Sequence, residues 1–383
     1  MNSDIIIVGG GILGLAHAYH LIDKGMKITM LEKNSPLQGA SVRNFGQIVP
    51  SGFSTKWQKF GIKSTEIYQK IHEEYGLHLR QEGSLYIASD DDELLLLQEL
   101  NHINKQNNYP SSLLSPEDCI EHSPHINSAY VKGGLLFEQE WVADPVMTLQ
   151  NLTQYLSEVK KMDYRPSCRV LGYQNKGNEI QLLTNQGELY CKKLIFCPGN
   201  DLEFYPIASS LFHSIQSVKL QMIELRPEKR AHLKGSLLTG RTIRRYESIQ
   251  ECPSYQGIIQ KQRTDDDLSK YGIHLLFKET AEGNLIVGDS HEYALYPEKD
   301  RLYPYLTNNS INQLILEEMK KIMCIENYSI VKTWNGMYTQ CIDEDILQMK
   351  LDENIHMISA IGGKGMTASL GWAGENVDQI LAQ

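Results

Sequence analysis

The chain opens on DIIIVGGGILGLAHAYHL, where an uninterrupted apolar run from Ile5 to Val8 meets Gly9, Gly11 and Gly14, and the next apolar run, KITMLEK, reaches Glu32. This order predicts a strand, a glycine turn, a helix and a second strand. Gly9 lets the chain turn sharply off the strand, Gly11 lets backbone N–H groups approach a pyrophosphate, and Gly14 lets the helix pack close to the sheet. Ile12 and Leu13 lie between these glycines, at a helix N-terminus suited to hold phosphates. Glu32, followed by Lys33, is placed to accept hydrogen bonds from a ribose 2′-OH and to repel the extra phosphate of an NADP-type cofactor. An adenine dinucleotide is the first expectation.

With 383 residues, 41% of them hydrophobic and 22% charged, the chain has the size and composition of a soluble protein of two domains. Thirty-seven basic against 47 acidic residues give a net charge of −10, which disfavours nucleic acid as a partner. The stretch from Ile5 to Ala16 lacks the basic flank of a signal peptide, and no other run approaches the roughly 18 apolar residues of a membrane span. No stable membrane insertion is expected. The seven cysteines are scattered without a CxxC pair, and the 12 histidines show no HxH or HxxxH pair. Neither a disulfide framework nor a metal site is therefore expected, and a cytoplasmic location fits best.

After Glu32 the alternation of strand and helix breaks into SPLQGASVRNFGQIVPSG, followed by a helical stretch, KWQKFGIKSTEIYQKIHEEYG. Strand-like GSLYIAS and KGGLLFEQEW flank an acidic amphipathic helix, DDDELLLLQELNHINKQ. PVMTLQNLTQYLSEVKK reads as a helix, and RVLGYQ, EIQLLTN and KKLIFCPGN read as strands, the last ending at Gly199 as a buried parallel strand does at a ligand. From about Ser217 to Tyr328 long alternating segments predict a mostly antiparallel sheet, and the chain closes on a strand, a second glycine turn and a helix. The expected architecture is α/β with an α+β second domain. A Rossmann-type nucleotide domain comprising residues 1–79, 142–213 and 328–383 is interleaved with a substrate domain comprising residues 80–141 and 214–327.

The second glycine turn, Gly362-Gly363-Lys364-Gly365-Met366-Thr367, distinguishes between dinucleotides. It opens a helix whose positive N-terminus suits the N1 and C2 carbonyl edge of a flavin, and nicotinamide has no such edge. Together, GGGILGL, Glu32, GASVRNFG, LIFCPG and GGKGMTAS resemble the FAD-dependent amine and amino-acid oxidases of the D-amino-acid oxidase superfamily, which includes glycine oxidase and sarcosine oxidase. Within that group GASVRNFGQ, EGSLYIA, YGIHLLF and GDSHEYA look most like a branch associated with phosphonate breakdown, which acts on 2-aminoethylphosphonate-type amines. The resemblance implies a glutathione-reductase-like FAD domain with Gly9, Gly11 and Gly14 on the pyrophosphate, Glu32 on the ribose and Val170 on the adenine. It places Gly39, Ala40, Ser41, Arg43, Asn44 and Gly46 along the flavin, with Gly199 nearby. Gly336, Met337 and Tyr338, with Gly362 to Thr367, frame the ring.

Relatives of the sarcosine-oxidase type attach the flavin through a cysteine just before a Met-Tyr pair. Gly336 occupies that place here, so noncovalent FAD is expected. The lysine that assists oxygen chemistry in those relatives has no counterpart in LIVGDSHEY, which leaves oxygen or another electron carrier as the acceptor. The implied reaction is hydride transfer from a small primary or secondary amine to flavin N5, after which the imine hydrolyses. An anionic substrate needs local cations in a chain of this charge, and the candidate readers are Arg43, Arg244 and Lys364, with Tyr246 and His291 adding hydrogen bonds. The alternatives are a flavin dehydrogenase of a hydroxy acid or polyol phosphate that uses a quinone or other carrier, and a scaffold in which FAD is structural. Oligomeric state is not legible.

Overall fold

The apolar run Ile5–Val8 forms the middle of a parallel sheet because its residues are buried on both faces and have no polar side to present to water. The computed structural model describes residues 3–205, 209–262 and 264–382. Of the segments expected to form the two domains, residues 1, 2, 206–208, 263 and 383 lie outside the described ones. The first strand, Ser3–Val8, pairs in parallel with Ile28–Leu31 on one side and with Gly187–Phe196 on the other. Asp163–Arg165 and Ile355–Ser359 extend this parallel set at its two ends. A hairpin of Val170–Asn175 and Ile180–Thr184 adds antiparallel to the start of Gly187–Phe196, and Leu347–Asp352 adds antiparallel to Ile355–Ser359. The shared direction of the central strands brings Gly9, Glu32, Cys197 and Ala360 to one edge of the sheet, where α/β proteins bind ligands.

A second sheet of nine strands forms the other half of the molecule. Ile215–Pro227 pairs antiparallel with Leu285–Gly288 and Glu292–Leu295 along one side and with Tyr328–Cys341 along the other. The strand Tyr328–Cys341, expected with the nucleotide sheet, therefore belongs to the antiparallel one. Its first half is exposed, and a half-exposed strand suits an antiparallel edge, whereas the parallel core buries both faces. Leu276–Glu279 pairs antiparallel with Leu285–Gly288 and with Ser236–Thr239, which joins Ser84–Ala88 in parallel, and Gly133–Phe137 and Ser112–Leu114 complete the sheet.

The region read as strands and polar loops also contains helices. Asn309–Ile322 buries Ile311, Ile315, Met319 and Ile322 at helical spacing against the antiparallel sheet, and Gly240–Ile243 and Glu247–Gln250 bring short helical turns to the boundary of the two halves. Asp91–Gln106 is the expected acidic helix; the Asp90 side chain accepts the Glu93 N–H, and three acidic residues in the first turn suit the helix dipole. Among the described residues no helix is long and apolar enough to cross a membrane.

The C-terminal helix, Gly365–Leu381, packs between the first helix, Ile12–Asp23, and the long helix, Thr55–Tyr75. His17 Nε2 lies 2.9 Å from Asn376 Oδ1, and the Gly371 N–H donates to Ser64 Oγ at 2.7 Å. A Cβ on Gly371 would collide with the Phe60 carbonyl oxygen. Gly371→Ala is therefore expected to push these helices apart and to cost about 1–3 kcal/mol of stability. Denaturant titration checks this, and an unchanged midpoint contradicts the packing described.

Candidate active site

A cleft of about 1970 Å³ runs from the edge of the parallel sheet to the antiparallel one. Pockets for single small ligands span roughly 300–1,000 Å³, so this volume suits a dinucleotide with a substrate beside it. At one end lie the glycine turn, Glu32 and the strand that begins at Val170; at the other lie Gly336–Tyr338, the C-terminal glycine turn and the helical turns around Arg245.

The nucleotide end is shaped by backbone. Gly9 has φ +114°, and a Cβ there would strike the Cys197 carbonyl oxygen; a Cβ on Gly14 would strike the Gly9 carbonyl oxygen. Both positions are held to glycine by close approach, and Gly9 by its positive φ as well. Gly11 is the helix N-cap and brings no side-chain cap of its own, and Ser41 Oγ from the neighbouring segment accepts the Ile12 N–H at 3.0 Å. Glu32 is buried, with its two oxygens accepting the Gly10 and Asn34 N–H groups at 2.8 Å each. Each oxygen keeps a further lone pair for a ribose hydroxyl. This donor and acceptor set fits an adenine dinucleotide. Leu13, Lys33, Gly39, Ala40, Asn44 and Gly46 line the same trough, and Lys33 is engaged by Asp201.

At the far end Gly199 and Gly363 have open space where a Cβ would stand, so both leave room for a flat ring. Gly362, Lys364, Gly365, Met366 and Thr367 line the cleft at the N-terminus of the last helix, which has no side-chain cap and no acidic residue in its first turn. Thr367 Oγ1 accepts the Val49 N–H at 3.1 Å, tying this turn to the segment after Gly46. Gly336, Met337 and Tyr338 approach from the antiparallel sheet. Arg43 donates through Nε to the Gln38 carbonyl at 2.9 Å and through a terminal nitrogen to the Asn335 carbonyl at 3.1 Å, keeping other N–H groups for a ligand.

Four of the five candidate substrate readers reach this cleft. Tyr246 lines it with its ring stacked on Tyr86 at 5.6 Å, and His291 Nε2 lies 3.1 Å from the Tyr338 hydroxyl. Lys364 also lines it, but its ammonium is committed to Glu247 at 2.7 Å, with Asp345 at 3.8 Å. Arg244 is a correction: it turns away from the cleft into ion pairs with Asp90 at 2.6 Å and Glu93 at 2.8 Å, which hold its guanidinium in place. The next residue, Arg245, faces the cleft instead and donates to the Tyr293 hydroxyl at 2.6 Å. Among the described residues neither Arg43 nor Arg245 forms an ion pair.

His274, Asp289 and Thr242 also reach this wall although sequence reasoning did not single them out. Burial pushes the Asp289 carboxyl up to about 7, with Arg245 opposing, and burial with help from Arg245 holds both His274 and His291 well below the ordinary histidine range. The D-x-H spacing of Asp289 and His291 was the available signal, since alternate residues of an extended segment share a face. His274 required the strand pairing. Lys278, whose amine burial pushes down to about 7, donates to the Ala143 and Gly46 carbonyls at 2.6 and 3.3 Å and so braces the Gly46 loop from behind.

The family model described as DAO, FAD dependent oxidoreductase, matches residues 4–379. Among curated proteins the chain is 25% identical over 52% of its length to the mitochondrial pyruvate dehydrogenase phosphatase regulatory subunit of Mus musculus, covering 23% of that protein. It is 23% identical over 90% of its length to a glycerol 3-phosphate dehydrogenase of Caloramator mitchellensis, covering 66% of that protein. The chain thus spans less than two thirds of these relatives' own length. Among solved structures, L-proline dehydrogenase from P. horikoshii superposes with a TM-score of 0.79 at 20% identity, covering 100% of this chain and 94% of that one. Glycine oxidase from Bacillus cereus ATCC 14579 superposes with a TM-score of 0.78 at 16% identity, covering 99% and 95%. These superpositions show the mixed α/β fold.

Removing a charged acceptor from a buried hydrogen-bond site costs about 1.5–3 kcal/mol, or roughly 10- to 100-fold in affinity. Glu32→Ala is therefore expected to weaken FAD binding by about that factor in a flavin-fluorescence titration of the apoprotein. Unchanged affinity would show that Glu32 serves only its Gly10 and Asn34 contacts.

Proposed function

Because the chain belongs to the FAD dependent oxidoreductase family, we propose that it oxidises a small primary or secondary amine bearing an anionic group, an amino acid or an aminophosphonate, with FAD held without a covalent link. Three arginines line the cleft, of which Arg169 adjoins Val170 at the nucleotide end; the observation that carries this reading is the other two, Arg43 and Arg245, which have no carboxylate partner among the described residues in a chain of net charge −10. A planar guanidinium binds two oxygens of a carboxylate or phosphonate at once and so orients the rest of the substrate. Bound FAD supplies a two-electron hydride acceptor. The chain supplies orientation and a wall that favours the unprotonated amine: His291 is held neutral, and the hydroxyl of Tyr338 stands beside it. Tyr246 closes the wall with its aromatic face. Loss of hydride leaves an imine, which water hydrolyses to an aldehyde or keto acid.

Gly336 ahead of Met337-Tyr338 supports the noncovalent cofactor, and the GASVRNFGQ and GDSHEYA segments support the aminophosphonate form of the substrate. The acceptor in this reading is oxygen or a carrier, and the dispersed free cysteines favour a reducing, cytoplasmic setting. A second reading, oxidation of a polyol phosphate, is favoured by the likeness to the Caloramator glycerol 3-phosphate dehydrogenase.

Anaerobic mixing with 2-aminoethylphosphonate, its N-methyl form, glycine, sarcosine, D-alanine and glycerol 3-phosphate separates the two readings. Bleaching of the flavin by at least one amine is expected, and bleaching by glycerol 3-phosphate alone overturns the proposal. For the reducing amine, Arg43→Ala and Arg245→Met are each expected to raise KM by about tenfold or more for anionic members and little for neutral ones. Arg244→Met is expected to lower thermal stability through its buried partner Glu93 without that selectivity. Equal KM effects on charged and neutral amines would remove the arginines from anion recognition.

A further inference from the structure

Asp289, His274 and His291 form a buried cluster behind Tyr338 in which Asp289 Oδ1 has no hydrogen-bond partner among the described residues. Asp289 Oδ1 lies 3.0 Å from His274 Nε2 and 3.7 Å from His291 Nδ1, and the two histidines approach within 3.0 Å through His274 Nε2 and His291 Nδ1. The outer contacts allow a polarity that runs from Tyr338 inward to His274. Thr242 Oγ1 lies 2.8 Å from the Leu275 carbonyl, which Thr239 Oγ1 also reaches at 2.9 Å, and 3.2 Å from His274 Nδ1; when Thr242 donates to the carbonyl, His274 Nδ1 carries the hydrogen and donates to the Thr242 hydroxyl oxygen. His274 Nε2 is then a bare lone pair that accepts from His291 Nδ1–H, and His291 Nε2 accepts from Tyr338 O–H at 3.1 Å. A carboxylate oxygen 3.0 Å from that same lone pair is repulsive, and Asp289 Oδ1 is buried with no hydrogen-bond partner among the described residues. In this polarity a proton or a cation taken up between the two relieves the repulsion.

The three ligand atoms lie within 4.8 Å of one another, so spacing alone admits a metal ion. The groups facing Asp289 are His274, His291, Arg245, Tyr246 and Tyr338, with Tyr293 on Arg245, and they include one permanent cation. Arg245 acts on Asp289 and on both histidines, so a divalent ion here would add two charges beside a guanidinium, whereas a proton adds one. We propose that Asp289 and His274 share one proton and exchange it with the cleft through His291 and Tyr338, making this cluster the acceptor of the proton that an ammonium substrate must lose before oxidation.

In that step an N–H bond of the ammonium breaks, the nitrogen keeps the electron pair, and its proton passes to Tyr338 Oη. The Tyr338 hydroxyl proton moves to His291 Nε2, and the His291 Nδ1 proton moves to His274 Nε2. The resulting imidazolium is balanced by the Asp289 carboxylate. Burial raises Asp289 to about 7, so the pair fills as the pH falls through that value and stands empty, ready to accept, above it. Asp289 and His274 are positioning residues in this scheme. Their part in catalysis rests on the amine reading; the shared proton does not.

Histidine-selective 15N NMR of the FAD-loaded protein tests the shared proton directly. The ring signals of His274 and His291 are expected to move together in one step near neutral pH. Asp289→Asn abolishes that step and leaves the buried His17 signal in place, and in His274→Gln the step is lost from His291 as well. Two rings that titrate independently, or rings indifferent to Asp289→Asn, overturn the proposal. So does equimolar Zn2+ that survives gel filtration on the wild type and not on Asp289→Asn, which would make the cluster a metal centre. The titration needs no substrate. A shared proton in a protein that no amine reduces would leave the store standing and remove the amine reading.

Discussion

The molecule depends on how closely backbone can approach backbone where the parallel strands end. At Gly9 the chain must leave the sheet with a positive φ beside the Cys197 carbonyl, and at Gly14 the first helix must sit against the Gly9 carbonyl. Only with both satisfied does the helix N-terminus point along the sheet edge, with Glu32 at the next strand end and Gly199 beyond the third. The C-terminal helix meets the same edge from the other side, wedged against the long helix through Gly371. The cleft is the space these approaches leave open, and its length sets what fits in it.

Electrostatics decides what happens at the far end of that cleft. The three lysines lining it are already spent on carboxylates: Lys33 on Asp201, Lys299 on Glu203 and Lys364 on Glu247. Arg43 is held by backbone carbonyls and Arg245 by a tyrosine hydroxyl, neutral partners that fix geometry without cancelling charge. The polar wall opposite is built from neutral histidines and a carboxyl that titrates near neutrality, an arrangement that tolerates an arriving proton but resists a second fixed charge.

The first strand, glycine turn and helix were legible because each glycine answers to a local backbone demand, and the long amphipathic helices were legible from apolar spacing. What escaped the sequence reading depends on pairing between distant segments. Tyr328–Cys341 precedes the last pieces of the nucleotide sheet, but its exposed half and its match to Ile215–Pro227 take it to the other sheet. The helix Asn309–Ile322 carries a readable i, i+4 pattern that the surrounding strands obscured. In GRTIRRY two adjacent arginines differ by one helical step, which sends one to Asp90 and Glu93 and the other to the cleft. His274 joins Asp289 only through reciprocal backbone bonds between their segments, which no single stretch of sequence displays.

Everything functional here presupposes FAD in the cleft between the two glycine-lined helix ends, bound by fit and hydrogen bonds alone. Absorbance of the purified, desalted protein, followed by acid precipitation, measures this. The account predicts a flavin spectrum close to one FAD per chain, with all of the FAD released intact into the supernatant. A colourless protein that takes up no added FAD, or flavin that stays with the precipitated chain, would contradict it.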